Sequence, residues 1–476
     1  TISFDKEDSG AADAPVVYRS YPGEEVRIIG GRQLINFKLL ADPYILDKLP
    51  EEARGKVWVS DLKEAGITDY GQLLNRGGHG RSNPAALELF YNRQAMTLAR
   101  WPNEGWLKVS DITPSGEQRG RGEYQLGGFT YAGDRPERWV EEKDAWLNGY
   151  WYLPYSNAHA KIKSIDSAAK SIFLEPDTRW TSSGYYSLRY KIQVAKNMPY
   201  YAYNLLSELD VPGEWYLDRN TCRLYMYPPD RMQNSEAIVS TLDASLFKIK
   251  DASNIVLLGL TLEVTRRDAI TMEGGRNNII AKSVIRNTGQ WAVKIGSGWE
   301  HKVIGCDIYN TGEGGISLNP DPVIGNYQIT LGRKELIPAR HTVENNHIYR
   351  FNRFDGGYKQ AVSIDGIGQV VSHNLMNDSP MQAICFNAND HVIEFNELHD
   401  VLHTGKELGA IYVYGEPWYM MSRGTVIRGN LFHHISSNSS PNYQQQCFGL
   451  VLDAINSGIV MENNIFYRVP KSILLP

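Results

Sequence analysis

NNHIYRFN at 345–352, HNLMNDS at 373–379, FNELHDV at 395–401, GNLFHHI at 429–435 and NNIFYRV at 463–469 are versions of one phrase: a mostly polar opening, then apolar residues at alternate positions. Internal repetition of this kind marks a chain built from stacked units. Anchored on its second residue, the phrase falls at Leu260, Ser283, Cys306, Asn346, Asn374, Asn396, Asn430 and Asn464, at intervals of 23, 23, 40, 28, 22, 34 and 34. The shortest intervals, 22 and 23, give the length of one coil. The longer ones are that coil with one turn enlarged, because stacking holds the strands and leaves a turn free to grow.

Each coil carries a second short strand: AITMEG (269–274), AVKIGS (292–297), GISLNP (315–320), AVSIDG (361–366), AICFNA (383–388), AIYVYG (410–415), GLVLDA (449–454) and SILLP (472–476). Apolar residues at every second position describe strands with one face in a core, and helical spacing is nearly absent. The sequence predicts an all-β chain, a right-handed parallel β-helix. The recurring Asn reads as structure first: stacked amides bond one another along the solenoid and tolerate left-handed backbone.

At 476 residues, 42% hydrophobic and 22% charged, the chain is long enough for this solenoid and a second module. A net charge of -5 offers no basic field for nucleic acid or an anionic membrane surface. No apolar run is long enough for a transmembrane helix. No charged-then-apolar leader opens the chain, and both ends read as trimmed. Cys222, Cys306, Cys385 and Cys447 stand far apart with no metal-type spacing, so neither a disulfide framework nor a zinc site is expected from them.

PVVYRSYPGEEVRIIGGRQL (15–34) reads as an opening coil, which places the first β-helix coil at 1–34. Between 35 and 235 the pattern stops, and hairpin-like pieces such as ALELFYNRQAMTLARWPN (86–103) and GEWYLDRNTCRLYMYPP (213–229) appear. This stretch is expected to be an inserted β-sandwich-like module, with the main β-helix at 236–476. Trp101, Trp106, Trp139, Trp146, Trp151, Trp180 and Trp215 all fall in the insert, where packing is the plainer reading and sugar stacking the sharper one.

Aligning the second strands puts Glu273, Gly296, Asn319, Asp365, Asn387, Tyr414 and Asp453 in one outward column. Thr271, Lys294, Ser317, Ser363, Cys385, Tyr412 and Val451 form the column before it. Mixed polar, acidic and aromatic residues along one solenoid face make a groove for an extended glycan. Hydrolysis of a glycosidic bond needs two carboxyl groups, about 5 Å apart for retention or about 6.5–9.5 Å for inversion. Glu416 stands one coil from Asp453 and two residues along, a crude separation of roughly 8 Å. Glu407 enters the same strand, and only a turn folding back would bring it near. The plain alternative for an isolated outward acid is a solvated side chain.

His399 and His403, and the pair His433 and His434, have spacings compatible with a metal, but turn hydrogen bonding is the plainer reading and no third ligand is evident. No fingerprint of a nucleotide, serine-hydrolase or zinc-protease site appears in a fitting context.

The segments GKELGAIYVYGEPWYMMSRGTVIRGNLFHHI (405–435) and FGLVLDAINSGIVMENNIFYRV (448–469), with DAPVVYRSYPGEEVRIIGGR (13–32) and LFYNRQAMTLARWPN (89–103), resemble the β-helix enzymes of glycoside hydrolase family 141. The resemblance implies hydrolysis of plant cell-wall glycans, fucosidase and xylanase activities included, by secreted or periplasmic bacterial enzymes. It implies acids at Glu407 and Asp453. The chain departs from the family pattern in having Glu at 407 for the usual Asp, Glu416-Pro417 for the RD of GRDW, and Ala454 for the second acid of LDD.

The leading expectation is a glycosidase without cofactor or metal, with Asp453 and Glu407 as acid and base and Glu416 in reserve. Tyr412, Tyr414 and Trp418 are expected to line the sugar site, with His403 orienting an acid and Asp365 binding substrate. The alternatives are a polysaccharide lyase, with Lys294 and Arg423 as cations, or a non-catalytic glycan-binding solenoid.

Overall fold

A computed structural model describes residues 1–77, 83–113, 128–151, 155, 157–175, 194–318, 337–404, 408–413, 423–436, 446–453 and 456–475. The chain divides into two compact units, 1–31 with 242–476, and 32–241.

The first unit is a parallel β-helix. Three parallel sheets run its length, each receiving one strand per coil in the repeating order A, B, C. In sheet A, Phe247–Lys250, Ile270–Glu273, Val293–Ile295, Ile316–Leu318, Val362–Ile364, Ile384–Phe386, Leu408–Val413 and Cys447–Leu452 pair in succession. The opening strands Ile2–Phe4, Val16–Arg19 and Val26–Ile29 add to sheets A, B and C by pairing with Phe247–Ile249, Ile255–Leu258 and Leu260–Glu263.

The core follows from period 2. Because every strand sends alternate side chains inward and the strands are in register, like stacks on like. Ile280, Val303, Val343, Val371, Ile393 and Ile427 form one fully buried column in sheet B. Each such aliphatic side chain contributes about 1.5–3 kcal/mol by leaving water. In sheet C, Phe432 and Phe466 are register partners and form a stacked pair 4.7 Å apart.

At the corner between sheets B and C the recurring asparagines form the expected ladder. Backbone N–H groups of Cys306, Asn346, Asn374, Asn396 and Asn430 donate to the side-chain oxygens of Asn346, Asn374, Asn396, Asn430 and Asn464, at 2.9–3.0 Å. The left-handed residue is the one before each ladder position, with φ of 54° at Asn345, 58° at His373 and 63° at Gly429. Asn396 accepts from Asn374 N and Nδ2 and donates to Val371 O and Asn430 Oδ1. Replacing it with Ala strands these buried groups, and we expect a loss of about 3–5 kcal/mol, at about 1–3 kcal/mol per orphaned group. Urea unfolding measures this; a loss under 1 kcal/mol would show the ladder to be passive.

A second ladder runs along the corner between sheets A and B. The N–H groups of Ile255, Asn278, His301, His341, Gln369 and His391 donate to side-chain acceptors on Asn278, His301, His341, Gln369, His391 and Thr425. The three histidines accept through Nδ1, which leaves the proton on Nε2. That proton is donated to Gly274 O from His301 and to Asn387 O from His391. Burial pushes His301 down to about 4, His341 to about 3 and His391 to about 4.

The second unit is built of short, largely antiparallel strands in an eight-stranded, a five-stranded and a four-stranded sheet among the described residues. Its aromatics mostly pack. Trp139 and Trp215 are fully buried, Trp146 and Trp151 nearly so, while Trp101 and Trp106 pack partly buried against the core. Trp180 lies outside the described residues. The four cysteines are buried free thiols. Among the described residues no helix is long and apolar enough to cross a membrane.

Candidate functional site

The outer face of sheet A collects the chemistry. Register pairs Thr271, Lys294, Ser317, Ser363, Cys385, Tyr412 and Val451 in one column, as period 2 dictates. The column changes character along the solenoid. Lys294 is exposed and Thr271, Ser317 and Ser363 are half-buried, whereas Cys385, Tyr412 and Val451 pack with Phe448 into a buried apolar cluster. An open polar face is thus replaced by a sealed one at the C-terminal coils, although these side chains point away from the β-helix core.

The Tyr412 hydroxyl leaves that cluster and donates to Asp453 Oδ2 at 2.6 Å. Asp453 follows the strand Cys447–Leu452, is exposed, and is anchored through its own N–H to Val413 O at 3.2 Å. Asn456 Nδ2 donates to the Asp453 carbonyl. The carboxyl group is therefore aimed by a phenol one coil away while its backbone is held at both ends.

Asp365, half-buried, accepts from Asn387 Nδ2 at 3.1 Å. Burial pushes its carboxyl up from the ordinary range, and the Asn387 hydrogen bond pulls it back in part. It lies three coils from Asp453, about 14 Å at 4.8 Å per coil, beyond the span of a glycosidase carboxyl pair. His403 is half-buried just before the strand Leu408–Val413, with its N–H on Ser379 O at 3.4 Å. Glu407, Tyr414, Glu416 and Trp418 lie outside the described residues.

A second polar group on the same face escaped the sequence reading. Asp268 is buried where the chain enters sheet A and accepts from Trp291 N–H at 3.0 Å. Burial pushes its carboxyl up to about 6; Lys294 pulls it down and Glu313 pushes it up. Glu313, fully buried, sits 3.7 Å from Lys359, whose ammonium is 6.0 Å from the Trp291 ring centre. The chain gave a signal for it: Asp268, Trp291, Gly314 and Gln360 each stand two residues before the first strand residue of their coil. Six coils, roughly 29 Å, separate Asp268 from Asp453, and four coils, roughly 19 Å, separate Glu313 from it.

Arg423, half of the cation pair of a lyase reading, is exposed and donates its N–H to Asn389 Oδ1 at 2.8 Å. Of the histidines expected as turn residues, His399 and His433 instead stand on paired strands of sheet C, and there the third ligand type that the sequence did not reveal is present, Glu397.

No family model and no curated protein matches the chain. Among solved structures, one described as a glycoside hydrolase superposes with a TM-score of 0.71 at 15% identity, covering 99% of this chain and 86% of that one. A complex of XylC with xylose gives 0.47 at 10% identity, covering 96% and 61%. The Azotobacter vinelandii mannuronan C-5 epimerase AlgE6 A-module gives 0.32 at 11%, covering 49% and 74%. The first of these shares the chain's fold across nearly its whole length.

Proposed function

We propose that the chain is a glycoside hydrolase acting on a complex polysaccharide or oligosaccharide of plant cell-wall type, with the fucosidase or xylanase chemistry of glycoside hydrolase family 141. Asp453 is one carboxyl of a two-carboxylate mechanism, with Glu407 or Glu416 as the other. The observation that carries this reading is the Tyr412 hydroxyl on Asp453 Oδ2 at the end of a sheet A strand, an exposed acid with a fixed direction. Such a fixed carboxyl can meet a sugar ring in one pose, which is what proton transfer or attack at the anomeric carbon needs. Tyr414 and Trp418 stack sugar rings, Asp365 binds hydroxyls, and His403 orients an acid. No cofactor takes part, and the enzyme works in a secreted or periplasmic setting.

A lyase is the second reading, favoured by Lys294 beside the buried Asp268, a cation and a base of raised pKa on the same face. Incubation with xylan and pectic oligosaccharides separates the readings. Hydrolysis gives new reducing ends with no ultraviolet-absorbing product; an unsaturated, absorbing product would establish the lyase; retention of glycan with neither would establish a binding solenoid.

A further inference from the structure

Sheet C turns its own side chains outward. Glu397 and His399 stand two residues apart on the strand Glu397–Val401 and so share a face. His433, on Leu431–His433, is the partner of His399 in the next coil. The two imidazoles stack with centres 4.5 Å apart and planes 10° from parallel. Glu397 Oε1 lies 3.0 Å from His433 Nε2, and the three donor atoms all fall within 4.8 Å of one another. Asp400 Oδ2 binds His399 Nδ1 at 2.7 Å, which leaves Nε2 to ligate and gives the carboxylate–histidine arrangement that orients metal ligands.

We propose that Glu397, His399 and His433 bind one divalent transition-metal ion of the zinc class, clasping two adjacent coils. Two imidazoles and a carboxylate suit zinc, copper or nickel, with a fourth position left for water. Bonds of about 2.1 Å at tetrahedral angles set donors about 3.4 Å apart, so the Glu397 Oε1–His433 Nε2 pair opens slightly from 3.0 Å and no donor pair starts farther apart than 4.8 Å. All three side chains are exposed or half-buried, so an ion reaches them from solvent.

The neighbouring Arg468 opposes the ion. Its Nη1 lies 3.2 Å from His434 Nε2, and arginine only donates. His434 therefore carries its proton on Nδ1 and donates it to His433 Nδ1 at 2.8 Å, which puts the His433 proton on Nε2, facing Glu397. A metal needs that Nε2 lone pair. Both imidazoles must take the opposite tautomer, with His433 donating from Nδ1, His434 carrying its hydrogen on Nε2, and Arg468 withdrawn.

Calorimetric titration of the full chain with zinc chloride tests the site. We expect one equivalent bound and a rise in Tm. His399→Gln and His433→Gln should each weaken binding at least about tenfold, the scale of lost ligand-shell contacts. Arg468→Ala should tighten it several-fold, and His373→Gln, an exposed histidine elsewhere, should leave it unchanged. Circular dichroism checks that the variants fold, and loss of the cobalt(II) visible absorption band in them checks ligation directly. Absence of binding at millimolar zinc, or a double His399→Gln/His433→Gln variant that binds as the parent does, overturns the proposal. Arg468→Ala binding no tighter than the parent overturns the tautomer account.

Discussion

Asp453→Asn should lower kcat/KM for a glycan substrate by about 10³-fold or more while leaving Tm within a degree or two. The rate effect follows from removing a proton-transfer or nucleophilic group. The small effect on stability follows from its exposure and from the amide oxygen, which still accepts the Tyr412 hydroxyl. Tyr412→Phe separates aim from chemistry. It keeps the ring in the cluster with Cys385, Phe448 and Val451 but loses the 2.6 Å hydrogen bond. Its expected cost is about tenfold, the equivalent of one hydrogen bond, and should appear in kcat more than in KM. Turnover unchanged in Asp453→Asn would remove this residue from the mechanism.

Mild acid should unfold the protein steeply. His301, His341 and His391 accept backbone N–H groups through Nδ1, so protonating that nitrogen sets two donors against each other. Burial adds to this, and the folded pKa values are about 4, 3 and 4 against an ordinary 6.5. The folded state thus holds fewer protons than the unfolded one below pH 6.5. Stability is complete above about pH 7 and is lost as pH falls from 6.5 toward 4. At 1.36 kcal/mol per pKa unit each histidine withdraws about 3 kcal/mol or more by pH 4. The three together reach the order of 10 kcal/mol, which rivals the whole stability of a folded domain. His301 and His341 stack 5.0 Å apart, so charging one further disfavours charging the other. Urea midpoints measured from pH 7.5 to 4.5 should hold down to about pH 7 and fall steadily below it. His391→Gln, which keeps an acceptor for Gln369 N–H, should remove about a third of the slope; a pH-independent midpoint would show that the ladder titrates without consequence.

The asparagine ladder was legible in the sequence because one residue type recurs. The histidine ladder was not, although Asn278, His301, His341, Gln369, His391 and Thr425 repeat at 23, 40, 28, 22 and 34, the same intervals as the coil phrase. What the corner demands is a side-chain acceptor, and asparagine, glutamine, neutral histidine and threonine all supply one, so residue identity scatters while the interval holds.

The sheet A columns were likewise readable from alternation alone, since each strand sends every second residue to the same side and this property is local. Nothing local says that the outward Cys385, Tyr412 and Val451 are sealed from solvent, or that Asp268 and Glu313 are buried beside Lys294 and Lys359.

The β-helix itself, its coil length and the faces of its strands were set by the sequence, because period 2 and the repeat interval are properties of the chain alone. Tertiary structure decided which outward residues lose water and which distant groups meet. Tyr412 with Asp453, and Glu397 with His399 and His433, are brought together by stacked coils whose turns differ in length. The closing of a face and the convergence of ligands depend on those turns, which sequence alternation does not constrain.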